Sequence, residues 1–243
     1  MSYLFGITER GDAALDSSWI NKMDSVIGAI IISKNINDNL ISNLLKFQNK
    51  VILHATITSL GGTIIEPNVP SYRVNFVQLL KLISLKFPKE QIVIRIDPIF
   101  PGLPVEKIEP ILKSCVQNGL FRIRFSFIDM YKHVIERFEQ YSINYPNFPL
   151  FDLDFKKEEY LRLFNKYTIL NFESCAEHIP QEFNFNIKQV GCISKLDYDI
   201  LKLEYHHIRN STQRQNCLCV NKKELLDNKT RCPYQCLYCY WKD

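Results

Sequence analysis

Apolar runs rich in β-branched residues alternate along the chain with stretches whose apolar positions recur every three or four residues. Val26-Ile-Gly-Ala-Ile-Ile-Ile32, Val51-Ile-Leu-His-Ala-Thr-Ile-Thr58, Ile92-Val-Ile-Arg-Ile-Asp97 and Phe121-Arg-Ile-Arg-Phe-Ser-Phe-Ile128 are runs of the kind that strands buried on both faces require. Shorter runs over 3–8, 168–172 and 185–190 extend the series. Between them, Leu40, Ile41, Leu44 and Leu45 keep helical spacing behind a cap at Asn37 or Asp38. Phe76, Leu79, Leu80 and Ile83 do the same behind Ser71. Further helices are expected over 105–118, closed by Gly119, and over 131–141 and 156–166, with a brief one before Met23.

Repeated strand–helix alternation predicts parallel βαβ units and an α/β fold. Both a complete or partial TIM-like (β/α) barrel and an open doubly wound sheet satisfy that pattern. No GxGxxG follows the first strand and no P-loop is present, so the barrel is favoured. The expected organisation is one structural domain, a barrel over 1–205 with a cysteine-rich tail over 206–243 docked on it; 243 residues suffice for its core.

Functional groups of a parallel barrel gather where strands end. Those ends carry Glu9, Arg10 and Asp12, then Ser33, Lys34 and Asn35, Thr56 and Thr58, Arg95 and Asp97, Ser126 and Asp129, and Glu173, Cys175 and Glu177. Arg95 and Asp97 share a face by the period of two, which suits either a structural ion pair or ligand contact. Arg122 and Arg124 also share a face and are placed outside the ligand-contacting layer. His54 and His133, inside regular elements, are expected to be satisfied core or surface residues.

Composition narrows the function classes. A net charge of +4 offers no support for nucleic-acid binding. No apolar run reaches the roughly 18 residues of a membrane span. Met1-Ser-Tyr-Leu-Phe-Gly6 lacks a basic region and a cleavage site, so no signal peptide and a cytoplasmic location are expected.

The cysteines change the picture most. Of eight, Cys115 stands alone in a helical pattern and is expected to be a small buried apolar residue, while the other seven fall from Cys175 onward. Clustering of this kind in a chain neither small nor visibly secreted points to metal or redox chemistry rather than to disulfides. Thiolates suit zinc and iron–sulfur clusters alike. A zinc site of four thiolates would use Cys217, Cys219, Cys236 and Cys239, leaving Cys175, Cys192 and Cys232 without work. A two-cluster arrangement uses all seven: Cys232, Cys236 and Cys239 hold a [4Fe–4S] cluster with one open iron, and Cys175, Cys192, Cys217 and Cys219 hold an auxiliary one.

Cys232-Pro-Tyr-Gln-Cys236-Leu-Tyr-Cys239 resembles the CxxxCxΦC signature of radical S-adenosylmethionine (SAM) enzymes, with Tyr238 as the aromatic. That resemblance implies a full or partial (β/α) barrel and SAM bound to the open iron through its amino and carboxylate groups. It also implies reductive cleavage of SAM to a 5′-deoxyadenosyl radical, and an electron donor such as a flavodoxin or ferredoxin. The signature normally follows the first strand; here it stands at the other end, as a circular permutation would place it.

Glu66-Pro-Asn-Val-Pro70, Arg95-Ile-Asp97-Pro98-Ile99, Ser126-Phe-Ile-Asp129, Cys175-Ala-Glu177, Gly191-Cys192-Ile193, Gln213-Arg214 and Cys217-Leu-Cys219 accompany the terminal motif. In order and spacing they resemble the bacterial family of domain of unknown function 1848. Arg95, Asp97, Ser126 and Glu177 are the residues expected to contact SAM or an unidentified substrate. Two other functions fit: a non-catalytic zinc or iron–sulfur module, and a nucleic-acid repair or modification enzyme related to photoproduct lyases, whose cysteine string is similar.

Overall fold

The computed structural model describes residues 4–100, 103–144, 155–174, 177, 179–183, 186–206, 218–227 and 232–240. Its strands are β1 (Phe5–Ile7), β2 (Ala29–Ser33), β3 (Val51–Thr56), β4 (Ile92–Ile99), β5 (Arg122–Phe127), β6 (Asn171–Ser174), β7 (Ile187–Gln189) and β8 (Lys222–Glu224). All pair in parallel in one eight-stranded sheet of order β7-β6-β5-β4-β3-β2-β1-β8. Consecutive strands are neighbours and β8 returns beside β1. A doubly wound sheet would instead reverse its strand order.

The helices are α1 (Asp38–Lys46), α2 (Tyr72–Ser84), α3 (Glu109–Asn118), α4 (Lys132–Gln140), α5 (Phe155–Lys166) and α6 (Lys195–Ile200). Local chemistry explains two boundaries. The Asn37 side chain accepts a hydrogen bond from the Leu40 N–H at 2.8 Å, satisfying one orphan donor at the start of α1. Gly119, at φ +69°, ends α3 in the left-handed conformation that a Cβ would penalise.

Strand alternation divides the sheet into two unlike faces. On one, Ile31, Leu53, Ile94, Phe125 and Phe172 pack with Leu40, Leu79, Leu112 and Leu161 of the helices. On the other, Phe5, Ile7, Ile30, Ile32, Ile52 and Val93 pack with Tyr198 of α6. This second face turns polar toward the strand ends, where the register sets Thr56 beside Arg95, Arg95 beside Arg124, and Arg124 beside Glu173.

Two findings depart from the sequence expectations. Residues 222–224, inside the stretch assigned to the tail, form β8; the charged Lys-Lys-Glu triplet carries no apolar signal and is held by its partners. Glu224 accepts the Glu9 and Arg10 N–H groups at 3.1 and 3.2 Å, and Lys222 pairs with Glu9. Helix α6 was also unforeseen, and packs on the face opposite α1, α2, α3 and α5, started by a Ser194–Asp197 capping box. Arg122 and Arg124, which share a face as the period of two requires, are buried in an ion network. Arg122 Nε donates to Glu173 at 2.9 Å and its Nη2 to Asp197 at 2.9 Å, while Arg124 also pairs with Glu173.

Candidate metal centre at the strand ends

The chain leaves β8 at the C-terminal edge of the sheet, so the cysteine stretch 232–240 starts where the other strands end. Two adjacent side chains then fasten it. Leu237 enters an apolar cluster with Leu60, Ile65, Phe100, Ile128, Val134 and Phe138. The Tyr238 hydroxyl accepts from Lys34 Nζ at 2.6 Å and donates to the carboxylate of Glu66. Backbone contacts complete the seat. Leu237 N–H reaches Ile65 O at 3.0 Å, Asn68 donates to Pro233 O at 2.8 Å, and Arg137 of α4 donates to Cys239 O at 2.7 Å.

The receiving loops are themselves pinned. Asp12 accepts from Ser33 Oγ and from Lys34 N–H, both at 2.6 Å, and Asn75 of α2 donates to Lys34 O at 2.9 Å. Gly61 lets the loop that carries Glu66 close: a Cβ there would lie 2.3 Å from Pro70 O, inside any van der Waals contact. Glu66 is fully buried and also receives the Thr58 hydroxyl and Lys34 Nζ, the latter at 2.9 Å.

Burial pushes the Cys236 thiol up to about 12, against the opposing charge of Lys34; Cys232 is raised for the same first reason. Both thiols feel a second cysteine of the triplet electrostatically. Burial works against the charge of Lys34, yet Glu66 and then Cys236 outweigh it and hold the ammonium above its usual range.

The sequence-selected polar residues meet on the same edge. Arg95 pairs with Asp97, and Ser126 Oγ donates to Asp97 Oδ1 at 2.6 Å. Burial disfavours the Asp97 carboxylate, but Arg95, Ser126 and Lys34 together hold its pKa below the usual range. Glu177 accepts the Phe127 N–H at 2.9 Å, and burial raises it to about 7. Cys192 and Cys219 are also brought together, the Cys192 N–H donating to Cys219 Sγ at 2.9 Å, and Arg124 holds Cys192 O at 2.7 Å. Gly191 makes that approach possible, since a Cβ would lie 2.6 Å from Leu218 O. Cys175 and Cys217, the other two residues assigned to an auxiliary cluster, lie outside the described residues.

No disulfide joins the described cysteines Cys115, Cys192, Cys219, Cys232, Cys236 and Cys239. Among the described residues, no three His, Cys, Asp or Glu side chains are arranged to hold a metal ion. By donor type the terminal triplet would suit a thiolate-bound metal, zinc or iron, and loading would require the three sulfurs to draw together and lose their protons.

A family model described as Domain of unknown function (DUF1848) matches residues 17–241. The chain belongs to that family. Neither a curated protein nor a solved structure matches it. The family's description carries no reaction with it.

Two histidines differ from their expected role as satisfied residues, since His133 Nε2, like that of His54, is buried without a hydrogen-bond partner. His54 is 2% exposed, and its Nε2 has no hydrogen-bond partner; among the described residues Arg122 Nη1 is unpartnered too. Burial first, then the charges of Arg124, Arg95 and Arg122, hold His54 well below the usual histidine range, so it stays neutral in the fold. The unfolded chain takes up a proton near pH 6.5 that the native state refuses, so this residue costs stability as pH falls below that value. A His54→Leu variant is expected to match wild type near pH 7.5. It should gain on wild type by up to about 1.4 kcal/mol per pH unit below 6.5. Urea denaturation at two pH values measures the gap; a gap independent of pH would contradict it.

Proposed function

We propose that this chain is an iron–sulfur enzyme of the radical SAM type, acting on a substrate that its residues do not name. The observation that carries the proposal is the seating of Cys236-Leu-Tyr-Cys239 on the C-terminal edge of the sheet, with Lys34 linking Tyr238 to the side occupied by Asp97. A cysteine triplet with an aromatic before its last member thus stands where parallel α/β folds keep their chemistry. In this reading the sheet is a (β/α) barrel, supported by a strand order that returns to β1 and by the approach of Cys192 to Cys219.

Cys232, Cys236 and Cys239 would hold the [4Fe–4S] cluster, which supplies the electron and the open iron needed to cleave SAM. Arg95 and Asp97 offer a fixed cation–anion pair for orienting the polar groups of SAM or substrate, and Ser126 fixes the carboxylate. Glu177 is tied to the Phe127 N–H and borders the same edge. Leu237 and the apolar cluster around it exclude water beneath the tail. Cys192 and Cys219, with Cys175 and Cys217, would carry the auxiliary cluster. The reductant would be a flavodoxin or ferredoxin, and the location cytoplasmic.

The deciding experiment is anaerobic reconstitution with iron and sulfide, followed by dithionite and SAM. Formation of 5′-deoxyadenosine is expected. An intact cluster, shown by its visible absorption, without that product would reject the radical reaction. A colourless protein purified anaerobically with stoichiometric zinc would favour the non-catalytic module.

A further inference from the structure

We infer that Glu66 is the positioning residue that sets where the terminal cysteines lie over the sheet. The inference rests on the proposed role of those cysteines for its consequence, while its geometry stands apart from any metal. Glu66 is a buried carboxylate at which three segments of the chain converge. It takes the Thr58 hydroxyl from the end of β3, the Lys34 ammonium from the loop after β2, and the Tyr238 hydroxyl from the tail. Its full burial leaves it no water to exchange these partners for.

The arrangement acts as a register pin. Tyr238 lies between Cys236 and Cys239, so fixing its hydroxyl constrains both neighbouring thiols. Leu237 anchors the same turn by apolar burial but has no directional bond of its own from its side chain; an apolar contact tolerates sliding that a hydrogen bond does not. Lys34 cannot follow a displaced tail, because Asp12 and Asn75 hold its backbone. Glu66 and Lys34 therefore form a rigid socket, and Tyr238 is the plug. Sequence proximity contributes nothing here, since Glu66 and Tyr238 are 172 residues apart.

The test compares wild type with Glu66→Gln, Glu66→Ala and Tyr238→Phe. On metal-free protein, pulse alkylation read by mass spectrometry gives separate rates for Cys236 and Cys239. Cys115, fully buried, reports whether the fold is intact. Loss of hydrogen bonds to a charged group should raise the Cys236 and Cys239 rates about tenfold in Glu66→Ala and less in Glu66→Gln, with Cys115 protected throughout. Should Glu66→Ala expose Cys115 and so prove unfolded, Tyr238→Phe, which removes one oxygen, decides with the same readout. Unchanged rates at both cysteines in a variant that protects Cys115 would overturn the inference. The same proteins are then reconstituted with iron: the pinned wild type should give the full visible spectrum and the variants a lower iron content. Wild type that takes up no iron, while alkylation still responds to Glu66, would sink the cluster reading and leave the positioning role standing.

Discussion

Glu173→Ala is expected to lose about 3–5 kcal/mol of folding stability, the cost of stripping the partner from buried charges. Glu173 is 4% exposed and receives both Arg122 and Arg124, whose side chains are 8% and 4% exposed. Asp197 remains within 2.9 Å of Arg122, so that guanidinium keeps one counter-charge. Arg124 keeps the Cys192 carbonyl and a carboxylate oxygen of Asp197 at 4.0 Å, neither of which replaces the direct ion pair that two of its N–H groups make with one Glu173 oxygen. Since a domain has only about 5–15 kcal/mol in hand, the variant should be partly unfolded at moderate urea. Glu173→Gln, which still accepts one hydrogen bond, should lose less. Urea midpoints at fixed slope measure both; a loss under about 1 kcal/mol for the alanine variant would mean that water reaches the arginines.

Cys236→Ala is expected to remove the iron of one whole cluster, about four atoms per chain, and with it all 5′-deoxyadenosine formation. Two thiolates cannot hold three irons, and Cys236 sits nearest the Lys34–Glu66–Tyr238 contact. The metal-free variant should keep its urea midpoint to within about 1 kcal/mol, because the thiol is only partly buried and no core contact is lost. A matched Cys115→Ala protein should retain full iron. Iron analysis of the anaerobically reconstituted proteins gives the answer. Full iron in Cys236→Ala would place the cluster elsewhere.

Much of the sheet was legible because its central strands are apolar on both faces, and a run such as Ile92 to Ile96 has few other ways to bury itself. β8 was not, because Lys222 to Glu224 is satisfied by Glu9 and the neighbouring backbone rather than by a core. Helix α6 has six residues and too little periodicity to register. Asp97, Ser126 and Glu177 could be found from strand ends alone, and Arg95 with them. The roles of Arg122, Glu173 and Asp197 could not, since an ion network joining residues 51 and 75 positions apart is a property of the pairing register. His54 was misjudged for a related reason: sequence shows that a histidine is in a strand, but not that the charges of three arginines on other strands act on it. Glu66 and Tyr238 each belonged to a recognisable block, and nothing in either block announced the other.

The strand order has a consequence for motion. β7 and β8 are the two margins of the sheet, each only three residues long, and the thiol-bearing segments follow or flank them, while Arg95 and Asp97 stand on the interior strand β4. Marginal strands fray at small free-energy cost, whereas central ones exchange their amides only on global unfolding. Hydrogen exchange should therefore be fast around Cys192 and Cys219 and slow across β3 to β5. Such a molecule can part the two rims that carry Cys192 and Cys219 while the strands that bear Arg95 and Asp97 stay still.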